Sequence, residues 1–200
     1  MKKILSILST ITLIGTSTTS LVACNTPQEY TKEELKELKE KNKINTTNQE
    51  IRNSLEWIAP QEKPFNKVDS KYYYVVWRGD KNTDWRIIKF KNYDLSHNKI
   101  LDKHNECVLV LEFLSSHNTD LFIQENKYPN RRWYWKNDNG TYIKSVYRWN
   151  LNTTESNLIV DDKGNVKVKG EQKRDLLSLF CFLSWLKCNF NWVSTFISNT

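Results

Sequence analysis

The chain is poor in the residues that usually announce enzyme chemistry. Its five glycines are scattered through 200 residues, so no glycine-rich loop can cradle a phosphate and no G-x-S-x-G elbow presents a nucleophilic serine. The three histidines, His97, His104 and His117, all lie in polar, turn-like sequence. His104 and Cys107 have an x2 spacing that a metal site could use, but no second pair of ligands follows at zinc spacing, so neither a metal nor a cofactor is indicated. Glu106, Glu112 and Glu125 fall at no spacing that pairs carboxylates for acid–base work; a catalytic site would have to assemble in three dimensions. Asp161-Asp162-Lys163-Gly164-Asn165 has the acids and glycine of a calcium loop without its alternating oxygen ligands or distal glutamate, and is expected to be a hairpin turn. The chain shows no internal repeat. The expectation is a protein that is not an enzyme.

What is present begins at the first residue. MKKILSILSTITLIGTSTTSLVAC carries positive charge at Lys2 and Lys3, an apolar stretch over 4–14 and a small-residue region, the three parts of an export signal. The apolar stretch is too short to span a bilayer. Leu21-Val22-Ala23-Cys24 places a cysteine where the mature chain would begin, the arrangement called a lipobox. Cys24 is then a lipidation site, residues 1–23 a signal peptide, and the partner of the chain a membrane held through a diacylglyceryl group. Two acyl chains meet the requirement for stable attachment, whereas one binds only reversibly. With Cys24 so used, Cys107, Cys181 and Cys188 are an odd number, and no disulfide framework is indicated.

Beyond the lipobox, the Asn/Lys/Ile-rich body and the run TKEELKELKEKNKINTTNQEIRNSLEWIAPQEKPFNKVDSKYYYVVWRGDK resemble the surface lipoproteins of wall-less bacteria, the mollicutes, and in particular those of Spiroplasma. The resemblance covers residues 1 to about 95. It implies a position on the extracellular face of the cell membrane, lipid-anchored at Cys24, and it implies no reaction.

The formal charge of +7 becomes +5 once Lys2 and Lys3 leave with the signal, 28 basic against 23 acidic residues. That excess suits anionic surfaces without arguing for a nucleic-acid protein. A short tether and a stalk helix are expected over 24–46. Thr31 opens the helix through a capping box with Glu34, and Leu35 and Leu38 are its only apolar stripe, so it is read as a solvated stalk. Thr47 with Glu50 repeats the signature, and Ile51, Leu55 and Ile58 at i, i+4, i+7 predict a second helix, stopped by Pro60, that docks on a sheet. From residue 72 the period changes to strands. YYYVVWR, a turn at 79–82 and WRIIKFK predict a hairpin. Further strands are expected over 107–114, 121–124, 131–136, 141–149, 158–160 and 166–169, while 92–106 carries no assignable pattern. The fold class is therefore mainly β, an antiparallel sheet with one or two N-terminal helices (α+β), and the β-rich extracellular domain occupies 47–170.

RRWYWKNDNGTYIKSVYRW, residues 131–149, concentrates three tryptophans, three tyrosines and five positive charges. Asn137-Asp138-Asn139-Gly140-Thr141 suits a three-residue hairpin loop with Gly140 left-handed. In that register Trp135 opposes Ile143 and Trp133 opposes Ser145 on a core face. Arg132, Tyr134, Lys136, Tyr142, Lys144 and Arg148 then form a basic-aromatic strip outside, a candidate ligand-binding surface. Such a strip could stack bases of single-stranded nucleic acid, but an outward-facing lipoprotein meets little of it. Host glycans, above all sulfated or acidic ones, or host surface proteins suit the location better. The plain alternative is that these residues are what an exposed strand carries.

The tail, residues 171–200, changes character: LLSLFCFLSWLKCNFNWVSTFISNT has no acid and a single lysine. Its eleven-residue apolar run is short of the roughly twenty that a span needs. A core helix, a membrane-interface helix and a shifted reading frame all remain open for it. The function expected is a non-catalytic binding or adhesion module on the cell surface. The alternatives are a structural or variable coat protein without a specific ligand and, third, a substrate-capturing lipoprotein of a transporter.

Overall fold

The structure, a computed structural model, describes residues 29–171 apart from 95, 116–117 and 152–154. The leader, Cys24 and the apolar tail lie outside the described residues, as do His117, Cys181 and Cys188.

Helix α1 (Lys32–Lys41) opens with the predicted capping box: the Thr31 hydroxyl accepts from the Glu34 amide, and the Glu34 carboxylate accepts from the Thr31 amide. It buries no residue, yet it is not a free-standing stalk. The Tyr30 amide donates to Gln61 Oε1 at 2.6 Å and Gln61 Nε2 donates back to the Tyr30 carbonyl at 2.9 Å. Lys39 Nζ bridges Glu56 at 2.5 Å and Glu62 at 2.6 Å, and the Tyr147 hydroxyl donates to the Asn42 carbonyl at 3.1 Å. A ten-residue helix is too short to persist alone in water; these polar ties hold it against the body.

The second helix differs from expectation. Helix α2 covers only Gln49–Ser54 and is capped by Asn48, whose Oδ1 accepts from the Ile51 amide, in place of Thr47. From Leu55 the chain straightens into β1 (Leu55–Ile58), antiparallel to β8 (Ile143–Trp149). Residues three apart share one side of a helix but opposite faces of a strand. Leu55 therefore enters one core and Ile58 another, burial that a single helix face could not provide.

The predicted hairpin is present as β2 (Tyr72–Trp77) and β3 (Arg86–Lys91). Strand β8 inserts between β1 and β2, giving a first sheet of order β1-β8-β2-β3. The second sheet is a meander of β4 (Lys99–His104), β5 (Cys107–Ser115), β6 (Asn118–Glu125) and β7 (Arg132–Tyr134). All pairings are antiparallel, so the chain is mainly β with leading helices. Strands β9 (Leu158–Val160) and β10 (Val166–Val168) form a separate hairpin closed by the turn expected at 161–165. There the Gly164 amide donates to the Asp161 carbonyl at 2.7 Å. Gly164 has φ +75°, and a Cβ on it would lie 2.7 Å from the Lys144 side chain and 2.8 Å from Trp85, so both conformation and space require glycine.

The two sheets face each other. Alternation along β2 sends Tyr73, Val75 and Trp77 toward the second sheet, where they meet Phe65, Leu109, Leu121, Ile123 and Trp135. Tyr74 and Val76 point the other way and pack with Ile51, Leu55, Tyr147, Trp149, Leu158 and Val166. Helix α2 and the β9–β10 hairpin thus cover the outer face of the first sheet, which is why β2 reads as an unbroken apolar run. Each fully buried aliphatic or aromatic side chain here contributes roughly 1.5–3 kcal/mol.

Candidate binding cleft

The segment 131–149 is not a hairpin. Among the described residues strand β7 pairs only with β6, through Phe122↔Tyr134, Ile123↔Trp133 and Gln124↔Arg132, and belongs to the second sheet, while β8 is an interior strand of the first. Between them the chain crosses from sheet to sheet. Gly140 is left-handed as predicted, with φ +86°, but the corner is made by Asp138, whose carboxylate accepts from the amides of Thr141, Tyr142 and Ile143 at 3.1, 2.9 and 2.5 Å. Trp135, 4% exposed, is inserted into the core 6.0 Å from the Phe65 ring. A hairpin would give β8 one partner; as an interior strand it gains two ladders and buries both faces.

The predicted strip is accordingly dispersed. Arg132, Tyr134 and Lys136 stay together on the outer face of the second sheet. There the Arg132 guanidinium lies 4.8 Å over Phe122, and Lys136 Nζ lies 5.3 Å from the Tyr134 ring. Tyr142 packs at 4.4 Å against Trp133. Lys144 sits on the opposite flank, over Trp85 and donating to the Lys163 carbonyl. Arg148 is half-buried and engaged, donating to Glu56 at 2.7 Å and Asn150 at 3.1 Å. Burial alone would raise the pKa of Glu56, but hydrogen bonds from Asn150, Lys39 and Arg148 outweigh it and hold the carboxyl at about 2. Arg148 therefore serves this internal network.

A concave site forms elsewhere, where three loops meet at one end of the sandwich: 79–83 between β2 and β3, 105–106 between β4 and β5, and 126–131 between β6 and β7. Together they enclose about 500 Å³. The floor is set by a close approach, since a Cβ on Gly79 would lie 2.9 Å from Cys107 Cβ, and the Cys107 thiol donates to the Gly79 carbonyl at 3.4 Å. The walls are braced. The Asn126 amide donates to the Glu106 carbonyl at 2.7 Å and the Glu125 amide to the Arg131 carbonyl at 3.0 Å. Asp80 turns its own loop by accepting from the Asn82 amide.

Asp80, Glu106 and Glu125 line this cleft, with Lys127, Arg131, His104 and Tyr128. Arg131 grips Glu125 with two nitrogens, Nε at 3.0 Å and Nη2 at 3.1 Å, and its guanidinium lies 5.7 Å from the Trp133 ring. The Cys107 thiol is pushed up by burial, and next by the charges of Glu125, Asp80 and Glu106. Among the described residues no group of three or more His, Cys, Asp or Glu is placed to hold a metal ion, and none of their helices is long and apolar enough to cross a membrane.

One further carboxyl pair lies apart from the cleft. Glu112 and Asp120 are directly opposed across β5 and β6 on the outer face of the second sheet. Glu112 Oε1 meets Arg132 Nη1 at 3.5 Å, while Glu112 Oε2 and Asp120 Oδ2 are buried without a hydrogen-bond partner. Burial, with the neighbouring Glu112 charge adding to it, raises the Asp120 carboxyl to about 6 against the opposing pull of the Leu121 amide and Lys136. Comparison of the chain with protein-family models, with curated proteins and with solved structures finds no match.

Proposed function

We propose that the chain is a lipid-anchored cell-surface lipoprotein, attached through Cys24 and facing outward, whose β-rich body is a non-catalytic binding module acting through the loop-end cleft. The single observation that carries the binding role is the cleft itself: about 500 Å³, within the range of small-ligand sites, with walls braced by backbone hydrogen bonds before any ligand arrives. Preorganisation of that kind lowers the ordering cost of association. The anchor reading rests on the lipobox, and its geometry is consistent. Only five residues lie between Cys24 and Tyr30, which is bonded to Gln61, so Tyr30 stays within about 20 Å of the attachment point. Strand β6 runs from Thr119, whose amide donates to Asn66 Oδ1, to Glu125 in the cleft. The cleft and the Pro64–Asn66 turn therefore sit about 20 Å apart along that strand. The dispersal of the 131–149 strip favours, as a second reading, a coat protein without a specific ligand. A transporter's capture protein would want its cleft between two lobes, whereas this one caps a single sandwich.

Labelling of cells with radioactive palmitate, together with detergent partition, tests the anchor. Wild-type chain should carry label and enter the detergent phase, and Cys24→Ser should do neither. Equal partition of both proteins would refute the anchor.

A further inference from the structure

We infer that the loop-end cleft takes an uncharged sugar ring, a hexopyranose unit of a glycan, rather than a polyanion. The inference rests on the binding-module reading and names the ligand class of that site. Charge comes first. Three carboxylates, Asp80, Glu106 and Glu125, face two cations, Lys127 and Arg131, and one of each is consumed in the Arg131–Glu125 pair. A sulfated or phosphorylated chain would enter against Asp80 and Glu106, so the surface that could attract polyanions and the surface that is concave are different surfaces.

Hydrogen-bond geometry comes second. The Arg131–Glu125 pair is a planar fork held by two charge-assisted hydrogen bonds, with unused N–H groups on one side and unused carboxylate lone pairs on the other. Neighbouring hydroxyls on a sugar ring each donate and accept, and such a fork can serve two of them at once. Asp80 and Glu106 supply further acceptors for hydroxyl protons.

The third observation is Tyr128. Its side chain is 90% exposed at the cleft rim, whereas large aromatic rings normally bury most of their surface. One face of a pyranose ring presents only C–H groups, slightly positive and apolar, and these stack on the negative face of a phenol ring. An exposed platform beside a doubly hydrogen-bonded polar fork satisfies both sides of a sugar, the C–H face and the hydroxyl edge.

The test uses the full chain in detergent micelles, with calorimetric titration of neutral oligosaccharides ending in glucose, galactose or N-acetylglucosamine. Heparin and an oligolysine peptide run beside them, and so do the variants Tyr128→Ala, Tyr128→Phe and Lys136→Glu. The inference expects one of the neutral sugars to bind with little dependence on salt. Tyr128→Ala should weaken that binding about tenfold or more, while Tyr128→Phe and Lys136→Glu should leave it nearly unchanged. Binding of heparin alone, or of oligolysine alone with strong salt dependence, overturns it. A parallel arm measures attachment of the protein to animal cells before and after enzymatic removal of their glycans. Attachment that survives glycan removal overturns the sugar inference and leaves the binding module standing; absence of attachment to either cell surface overturns both.

Discussion

Asp120 is expected to contribute more stability to this fold in mild acid than at neutral pH, and one substitution should remove that contribution. Its carboxyl lies on the outer face of the second sheet opposite Glu112, with Oδ1 accepting from the Leu121 amide at 2.8 Å and Oδ2 buried without a partner. Its pKa rises from the ordinary 3.8 to about 6, chiefly through burial. In the window between those two values the native carboxyl holds a proton that the unfolded chain has already released. Stability therefore falls as pH rises from about 4 to 6 and levels off above. A shift of about two units at about 1.4 kcal/mol each corresponds to roughly 3 kcal/mol, a large share of the 5–15 kcal/mol typical of a domain. Asparagine has the shape of the protonated acid and cannot ionise. Urea denaturation followed by tryptophan fluorescence should show Asp120→Asn unfolding near the wild-type midpoint at pH 4.5. At pH 7.5 the variant should be more stable than wild type by about 1–3 kcal/mol, with an unchanged denaturant slope. The lower limit of pH 4.5 keeps the measurement above the range in which Glu56 and Asp161, both held at about 2, begin to protonate. Parallel stability profiles for the two proteins, or an asparagine variant weaker at pH 7.5, would refute the reasoning.

Two other substitutions probe the architecture. Asp138→Ala strips the acceptor from three successive amides at the sheet-to-sheet corner and should cost about 2–4 kcal/mol in the same denaturation assay; a loss below about 0.5 kcal/mol would mean that the corner is held by something else. Gly79→Val forces a side chain against Cys107 Cβ, which already lies 2.9 Å from the ideal Cβ position. A destabilisation of about 1–3 kcal/mol, together with faster reaction of the Cys107 thiol with a maleimide, is the expected outcome, and an unchanged thiol rate would show that the cleft floor does not depend on that approach.

Features decided by neighbouring residues were legible in the sequence. The capping box at Thr31, the β2–β3 hairpin with its turn at Gly79, and the β9–β10 turn around Gly164 all depend on residues a few positions apart, and all occur as the sequence predicts. The errors fell where a local pattern had two solutions. Ile51, Leu55 and Ile58 match the spacing of a helix face, but the ladder offered by β8, nearly a hundred residues on, turned the last four residues into β1. Gly140 fits a hairpin loop and fits a corner between sheets equally well. Trp135 and Asp138 chose the corner through contacts that no spacing encodes. Strand β4 was hidden in a polar stretch because it edges its sheet, exposes Ile100 and Lys103, and breaks its alternation at a register shift between Ile100 and Asp102. The cleft was illegible for the same reason as the corner. Asp80, Glu106 and Tyr128 come from three separate loops and Glu125 from the end of β6, and each loop alone reads as an ordinary turn. The carboxylates that fall at no useful spacing along the chain, Glu106 and Glu125, are the ones that tertiary structure brings to a common surface.

The threading of β8 between β1 and β2 also orders events in time. Every strand of the second sheet pairs with its immediate neighbour in sequence, so that meander closes only short loops and can assemble as soon as residue 134 is free. The first sheet cannot: Leu55 waits for Trp149, and Tyr74 for Tyr147. Non-local pairings of this kind are slow to form, and here the missing partner is a central strand, without which β1 has no ladder at all. A chain emerging from its N-terminus thus holds half of its core open until nearly all of the described domain has been made. The insertion of one late strand completes the first sheet.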